Sequence, residues 1–215
     1  MRELVQKIPN WLTLLRLALI PVFVLLLIEP TPFMVKLATF VFVVAALTDL
    51  VDGYLARKFG AVSDAGKLLD PLADKILVMA ALIMLVAQRS DFDGAPWVPA
   101  WMVVLVLARE IWVTGLRSIA ATKGLVLAAS ASGKIKSGFQ MVAIVLLLLH
   151  ETKLRIFGFG VTCQTLGVNL LLLSLAVSYW GAVEYSTLVL GEVLQGPGAE
   201  EKPQVKTSSE TGNGS

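Results

Sequence analysis

Residues 33–88 read FMVKLATFVFVVAALTDLVDGYLARKFGAVSDAGKLLDPLADKILVMAALIMLVAQ. Two apolar runs, about 33–54 and 71–88, flank a short polar turn at about 58–65. Four aspartates stand at the ends facing that turn: Asp49 and Asp52 on the first run, Asp70 and Asp74 on the second. A helix needs roughly 20 apolar residues to cross a hydrocarbon core, so the runs read as membrane spans. The turn is short enough to make them antiparallel neighbours. An acid at the centre of such a helix costs about 2.5–3.5 kcal/mol, and less near the interface. Solvated helix ends would account for one or two acids. Four at helical spacing ask for more: the first pair is i, i+3 and the second i, i+4, so each pair shares a helix face. Converging carboxylates repel strongly in a low dielectric unless cations compensate. An all-oxygen donor set suits Mg²⁺ or Mn²⁺, plausibly two ions sharing carboxylates. Zinc is disfavoured, because His150 and Cys163 are single and have no ligand cluster around them.

The rest of the chain fits the same solvent. Of 215 residues, 56% are hydrophobic and 16% charged, well below the quarter usual in soluble domains; the mean hydropathy is +0.77. One cysteine excludes a disulfide framework. The scattered cations form no basic stripe for nucleic acid. Further apolar runs lie at about 11–28, 97–117, 136–150 and 165–190, which gives six spans in an all-α integral membrane protein. The first run reads as retained rather than as a cleaved signal, because no small-x-small site follows it and Pro30-Thr31-Pro32 reads as a turn. Lys and Arg divide eleven to four between the two sides, with Arg16 and Lys75 on the richer side. That split places both termini in the cytoplasm, and the expected location is the inner (cytoplasmic) membrane. Trp97 and Trp101 suit an outer interfacial belt, and His150 reads as solvated at that interface. Residues 1–195 form the membrane domain. The polar tail 196–215 reads as disordered, and no internal repeat marks the inverted architecture of many transporters.

Small residues sit among the acids. Gly53, Ala56 and Gly66 allow close approach to the backbone, and Arg57 brings the cation a phosphate-bearing ligand needs. Ordinary helix packing is the competing reading of either glycine alone. Together, Asp49-x2-Asp52-Gly53-x2-Ala56-Arg57-x8-Gly66-x3-Asp70-x3-Asp74 is similar to the signature of the CDP-alcohol phosphotransferase family, matching at every defined position over 26 residues.

The likeness extends to Asn10, Thr13 and Arg16, which resemble the family's amino-terminal segment at the CDP moiety. The stretch from Arg109 through Arg117 to Lys134 and Lys136 resembles the bacterial branch whose acceptor is sn-glycerol 3-phosphate, with Ser137 where that branch more often has Thr. The resemblance implies six transmembrane helices per subunit, a homodimer, and an active site open to the cytoplasm. It also implies displacement of CMP from CDP-diacylglycerol, drawn from among the membrane lipids. Asp49, Asp52, Asp70 and Asp74 would bind metal, and Asp74 would also serve as general base. Asn10, Thr13, Asp52, Gly53, Ala56, Arg57 and Gly66 would hold the CDP-lipid.

Arg109, Arg117, Lys134 and Lys136 are candidates for the acceptor phosphate. An ion pair of Arg109 with Glu110, and positive-inside topology for the others, are the plainer readings. Inositol phosphate, serine and phosphatidylglycerol remain alternative acceptors. A divalent-cation transporter is the rival from another class, since intramembrane acids also mark ion paths. A scaffold without chemistry offers no reason for the aspartate spacing, and no G-x4-G-K-[ST] loop occurs.

Overall fold

The computed structural model describes residues 2–59, 64–90, 94–122, 131–156 and 159–195; within these, the side chains at 2–10, 49–59, 64–68, 70, 131–136, 155–156, 159 and 192–195 lie outside the description. The tail from 196 onward lies outside the described residues altogether. Among the described residues six helices follow one another: α1 (Arg2–Leu26), α2 (Pro32–Phe59), α3 (Asp64–Ala87), α4 (Ala100–Thr122), α5 (Ala131–Leu148) and α6 (Cys163–Gln195). Each covers most of one of the expected apolar runs. The helices outlast those runs at their polar ends, because a helix continues into water wherever no breaker stops it.

Local chemistry fixes several starts. Thr31 caps α2: its Oγ1 accepts from the Met34 amide at 3.3 Å, and Pro32 takes the first helical position, where no amide donor is required. Thr162 does the same for α6, accepting from the Thr165 amide at 3.3 Å. Gly94 turns the α3–α4 connection with a φ of 66°, a conformation that favours glycine.

The core is built from helical stripes. Phe23 and Leu27 of α1, Ala38, Phe42 and Ala45 of α2, and Leu77, Ala81 and Leu85 of α3 are fully buried at spacings of three and four. Phe23 and Phe42 meet as tilted rings with centroids 5.8 Å apart. α1 packs against both α2 and α3, while α6 packs against α4 and α5. Outward faces are apolar too: Leu25, Phe40, Ile111 and Trp180 are all exposed. A protein apolar on both faces is matched to lipid rather than water. Among the described residues, Cys163–Gly191 is long and apolar enough to cross a membrane by itself, whereas the apolar stretches Trp11–Leu26, Pro32–Thr48 and Ser137–Leu148 are shorter.

The structure departs from the sequence reading in four places. Lys153–Ile156 and Phe159–Thr162 pair as an antiparallel hairpin, β1 and β2, which apolar run lengths did not reveal. Trp97 is buried rather than set in an interfacial belt, and its ring stacks on His150 with centroids 3.6 Å apart. His150 is correspondingly sheltered, its side chain only 14% exposed, instead of solvated. Arg16, counted among the cytoplasmic cations, is fully buried between helices.

Candidate active site at the facing ends of helices two and three

The continuous helix of α2 carries Asp49, Asp52, Gly53, Ala56 and Arg57 on its last turns, and α3 carries Gly66, Asp70 and Asp74 on its first turns. The two helices touch each other, and α1 packs on both. Sequence spacing therefore survives as helix spacing: 49 and 52 share one face, 70 and 74 another. Pro71 stands between the second pair, inside α3. Having no N–H, it leaves the helix one internal hydrogen bond short beside the acids. Asp74 is half-buried and already partnered. The side chains of Asn10, Asp49, Asp52, Arg57, Asp70, Lys134 and Lys136, and the surroundings of Gly53, Ala56 and Gly66, lie outside the described residues.

What holds the end of α2 is visible on α1. Thr13 and Arg16, three residues apart on one face, are both fully buried. Arg16 donates from Nε to the Ala45 carbonyl at 3.3 Å, and Thr48 donates to the same oxygen at 2.7 Å. Ala45 lies one turn before Asp49. A buried guanidinium thus stands one turn from the acidic end of α2, its desolvation cost offset in part by bonding to a carbonyl.

The other wall is α4, pinned to α3 and α6 by polar contacts. Lys75, the residue after Asp74, donates from Nζ to Thr114 Oγ1 at 2.6 Å. Thr114 in turn donates to the Glu110 carbonyl at 2.7 Å. Arg109 pairs with the Glu110 carboxylate at 2.8 Å and donates from Nε to the Ser178 carbonyl of α6 at 3.2 Å. Both partners of that ion pair are largely buried. Arg117, by contrast, is exposed and lies over the Tyr185 ring at 5.9 Å. Trp112 adds a bond from its indole N–H to Ser186 Oγ at 2.9 Å.

The contacts of α4 with α6 run from 105 with 179, near the start of α4, to 112 with 186 further along, so the two helices run parallel. Of the four acceptor-phosphate candidates, the structure describes two. It engages Arg109 with Glu110 and Ser178, and it leaves Arg117 stacked on an aromatic face. The sequence offered no role for Lys75 beyond topology, although a lysine one residue after a buried-helix aspartate was a signal of a specific partner.

Comparison with known proteins gives concordant results. Residues 6–180 match the family model described as CDP-alcohol phosphatidyltransferase. Curated relatives include the CDP-diacylglycerol--glycerol-3-phosphate 3-phosphatidyltransferase of Bacillus subtilis (strain 168), 44% identical over 71% of this chain and 82% of that one. The protein of the same name from Rickettsia bellii (strain RML369-C) is 41% identical over 67% of this chain and 76% of its own length. That from Haemophilus influenzae is 34% identical over 87% and 96% respectively.

Proposed function

The chain belongs to the CDP-alcohol phosphatidyltransferase family, and from that premise we propose that it is a phosphatidylglycerophosphate synthase, transferring the phosphatidyl group of CDP-diacylglycerol to sn-glycerol 3-phosphate with release of CMP. The observation that carries this reading is that relatives from three organisms, matched over most of their length, bear one acceptor in their names. The aspartate signature supports the chemistry; the names support the acceptor.

The donor set fits a divalent cation, because Asp49, Asp52, Asp70 and Asp74 offer only hard carboxylate oxygens on two touching helices. Mg²⁺ or Mn²⁺ there, as one ion or two, would supply Lewis-acid neutralisation of the pyrophosphate. The protein's own groups do the rest. Asp74 accepts the proton of the attacking acceptor hydroxyl. That oxygen then forms its bond to the β-phosphorus of the donor in line with the breaking bond to CMP. Asp74 is half-buried on α3, with three more acids near it in sequence.

Asn10, Thr13, Arg57 and the small residues Gly53, Ala56 and Gly66 hold the CDP portion. Arg117, Lys134 and Lys136 face the acceptor phosphate, while Arg109, bonded to Glu110 and Ser178, braces α4 against α6 unless it exchanges those partners for phosphate. The six helices span the inner membrane with both termini and the site on the cytoplasmic side, and the enzyme works as a homodimer. The lipid donor enters sideways between apolar helix faces.

The test is CMP release by the purified protein with CDP-diacylglycerol and a divalent metal, each acceptor being offered separately. Release with sn-glycerol 3-phosphate is the expected result. Release only with inositol phosphate, serine or phosphatidylglycerol would overturn the acceptor assignment while keeping the chemistry. No release, with Mg²⁺ flux in proteoliposomes, would replace the enzyme by a transporter.

A further inference from the structure

We propose that Lys75 of α3 is a ligand of the acceptor's phosphate, acting with Arg117 of α4, and that its bond to Thr114 is the resting position of a cation waiting for an anion. This rests on the glycerol-phosphate reading above and adds a residue to it.

Three observations lead there. First, the Lys75 ammonium makes an exposed contact whose partner among the described residues is a neutral hydroxyl, Thr114 Oγ1 at 2.6 Å. An ammonium bonded only to a neutral oxygen keeps its charge available to a carboxylate or phosphate. Second, the acid on the facing turn of α4 is already taken: Glu110 is held by Arg109 at 2.8 Å, and Arg109 is further fixed by the Ser178 carbonyl. The hydroxyl of Thr114 has spent its proton on the Glu110 carbonyl, so it offers Lys75 only a lone pair. Third, Thr114 and Arg117 are three residues apart and share a face of α4, and Arg117 has only the Tyr185 ring as its described partner. Two cations with no anionic partner among the described residues therefore lie on the neighbouring helices α3 and α4. Lys75 is one residue from Asp74, at about 100° around the same helix. An acceptor with its hydroxyl at Asp74 can place its phosphate between them. A phosphate oxygen replaces a neutral hydroxyl as the partner of Lys75, exchanging a weak bond for a charge-assisted one.

A tether joining α3 to α4 is the competing role, and one set of variants separates the two. Lys75→Met, Lys75→Arg and Thr114→Val are compared with the wild-type enzyme for the KM of each substrate, for kcat, and for the thermal shift produced by sn-glycerol 3-phosphate alone. Phosphate binding predicts that Lys75→Met raises the KM for glycerol 3-phosphate by roughly tenfold to a hundredfold. The KM for CDP-diacylglycerol stays within about twofold, and the acceptor-induced thermal shift disappears. Lys75→Arg restores most of both, and Thr114→Val, which removes the tether but keeps the charge, moves the acceptor KM by less than about threefold.

If Thr114→Val reproduces Lys75→Met, or if Lys75→Met lowers the melting temperature and weakens both substrates alike, Lys75 is a tether and the proposal is wrong. Should Lys75→Met fail to fold, an unchanged acceptor KM and thermal shift in Lys75→Gln would overturn it equally. Wild-type turnover with glycerol 3-phosphate is the control on the underlying reading: its absence defeats both, whereas normal wild-type turnover with an indifferent Lys75 defeats this one alone.

Discussion

A carboxylate is a poor base in water, so the work assigned to Asp74 depends on its surroundings more than on its identity. Half-buried on α3, it differs from asparagine by one proton-accepting oxygen and almost nothing in volume. Asp74→Asn is expected to cut kcat by about 10²- to 10⁴-fold, the usual worth of a general base, with CDP-lipid binding largely kept. Near-normal turnover by that variant, in a steady-state assay of CMP release, would remove Asp74 from the role. The aspartates were legible because their spacing is chemically unusual inside apolar sequence. The packing contacts of Arg16 and Lys75 were not, since each is made with an atom on another helix: the Ala45 carbonyl for one and the Thr114 hydroxyl for the other. Run-length and charge-count reasoning treats both as topology markers. Only the packing of α1 on α2, and of α3 beside α4, separates a buried or bonded cation from a solvated one.

At the scale of elements, α2 and α3 form the acidic hairpin, and α5 against α6 is the tightest described junction. A Cβ added at Gly167 would lie 2.7 Å from Leu147 Cγ and 3.1 Å from the Ala143 carbonyl oxygen. Neither neighbour is the free end of a flexible chain, so the helices must separate to admit a methyl group. Gly167→Ala should destabilise the detergent-solubilised protein by about 1–3 kcal/mol, read as a lower melting temperature. An unchanged melting temperature would show that the junction yields freely.

The acidic hairpin makes a different prediction. If its carboxylates serve a hard cation, EDTA abolishes CMP release and an excess of Mg²⁺ or Mn²⁺ restores it, while full activity in chelator would refute the donor-set argument. Helices were the readable elements, because apolar runs of that length have few alternatives in lipid. Their ends were not readable: α1 begins at Arg2 and α2 persists to Phe59, both beyond the apolar stretch. The hairpin at Lys153–Thr162 was missed for a related reason. Its strands are four residues each, too short for an alternation signal, and they are stabilised by closure onto the start of α6, where the Cys163 amide donates to the Thr152 carbonyl at 2.8 Å.

The whole molecule is a helical bundle with one end tied by side chains and the proposed chemistry at the other. Gln88 donates to the Leu27 carbonyl at 2.8 Å, joining α3 to α1, and the stacked Trp97 and His150 fill the space beside them. Rigidity at that end suits a scaffold that must hold two acidic helix ends in register while a lipid enters between apolar faces. The proposed orientation rests on the excess of Lys and Arg, which survives the loss of buried Arg16 and hydroxyl-bound Lys75 from the tally, since neither removal touches the poorer side. Orientation is directly measurable, because Cys163 is the single cysteine and is itself buried. In a Cys163→Ser background, Glu29→Cys places a thiol in the exposed α1–α2 turn and Thr122→Cys places one at the exposed end of α4. A membrane-impermeant maleimide should label the first in intact spheroplasts and the second only after permeabilisation. The opposite pattern would put the aspartates on the far side of the membrane. There they would be separated from a cytoplasmic pool of phosphorylated acceptor, and no arrangement of carboxylates, however well matched to a metal, could then carry the proposed transfer.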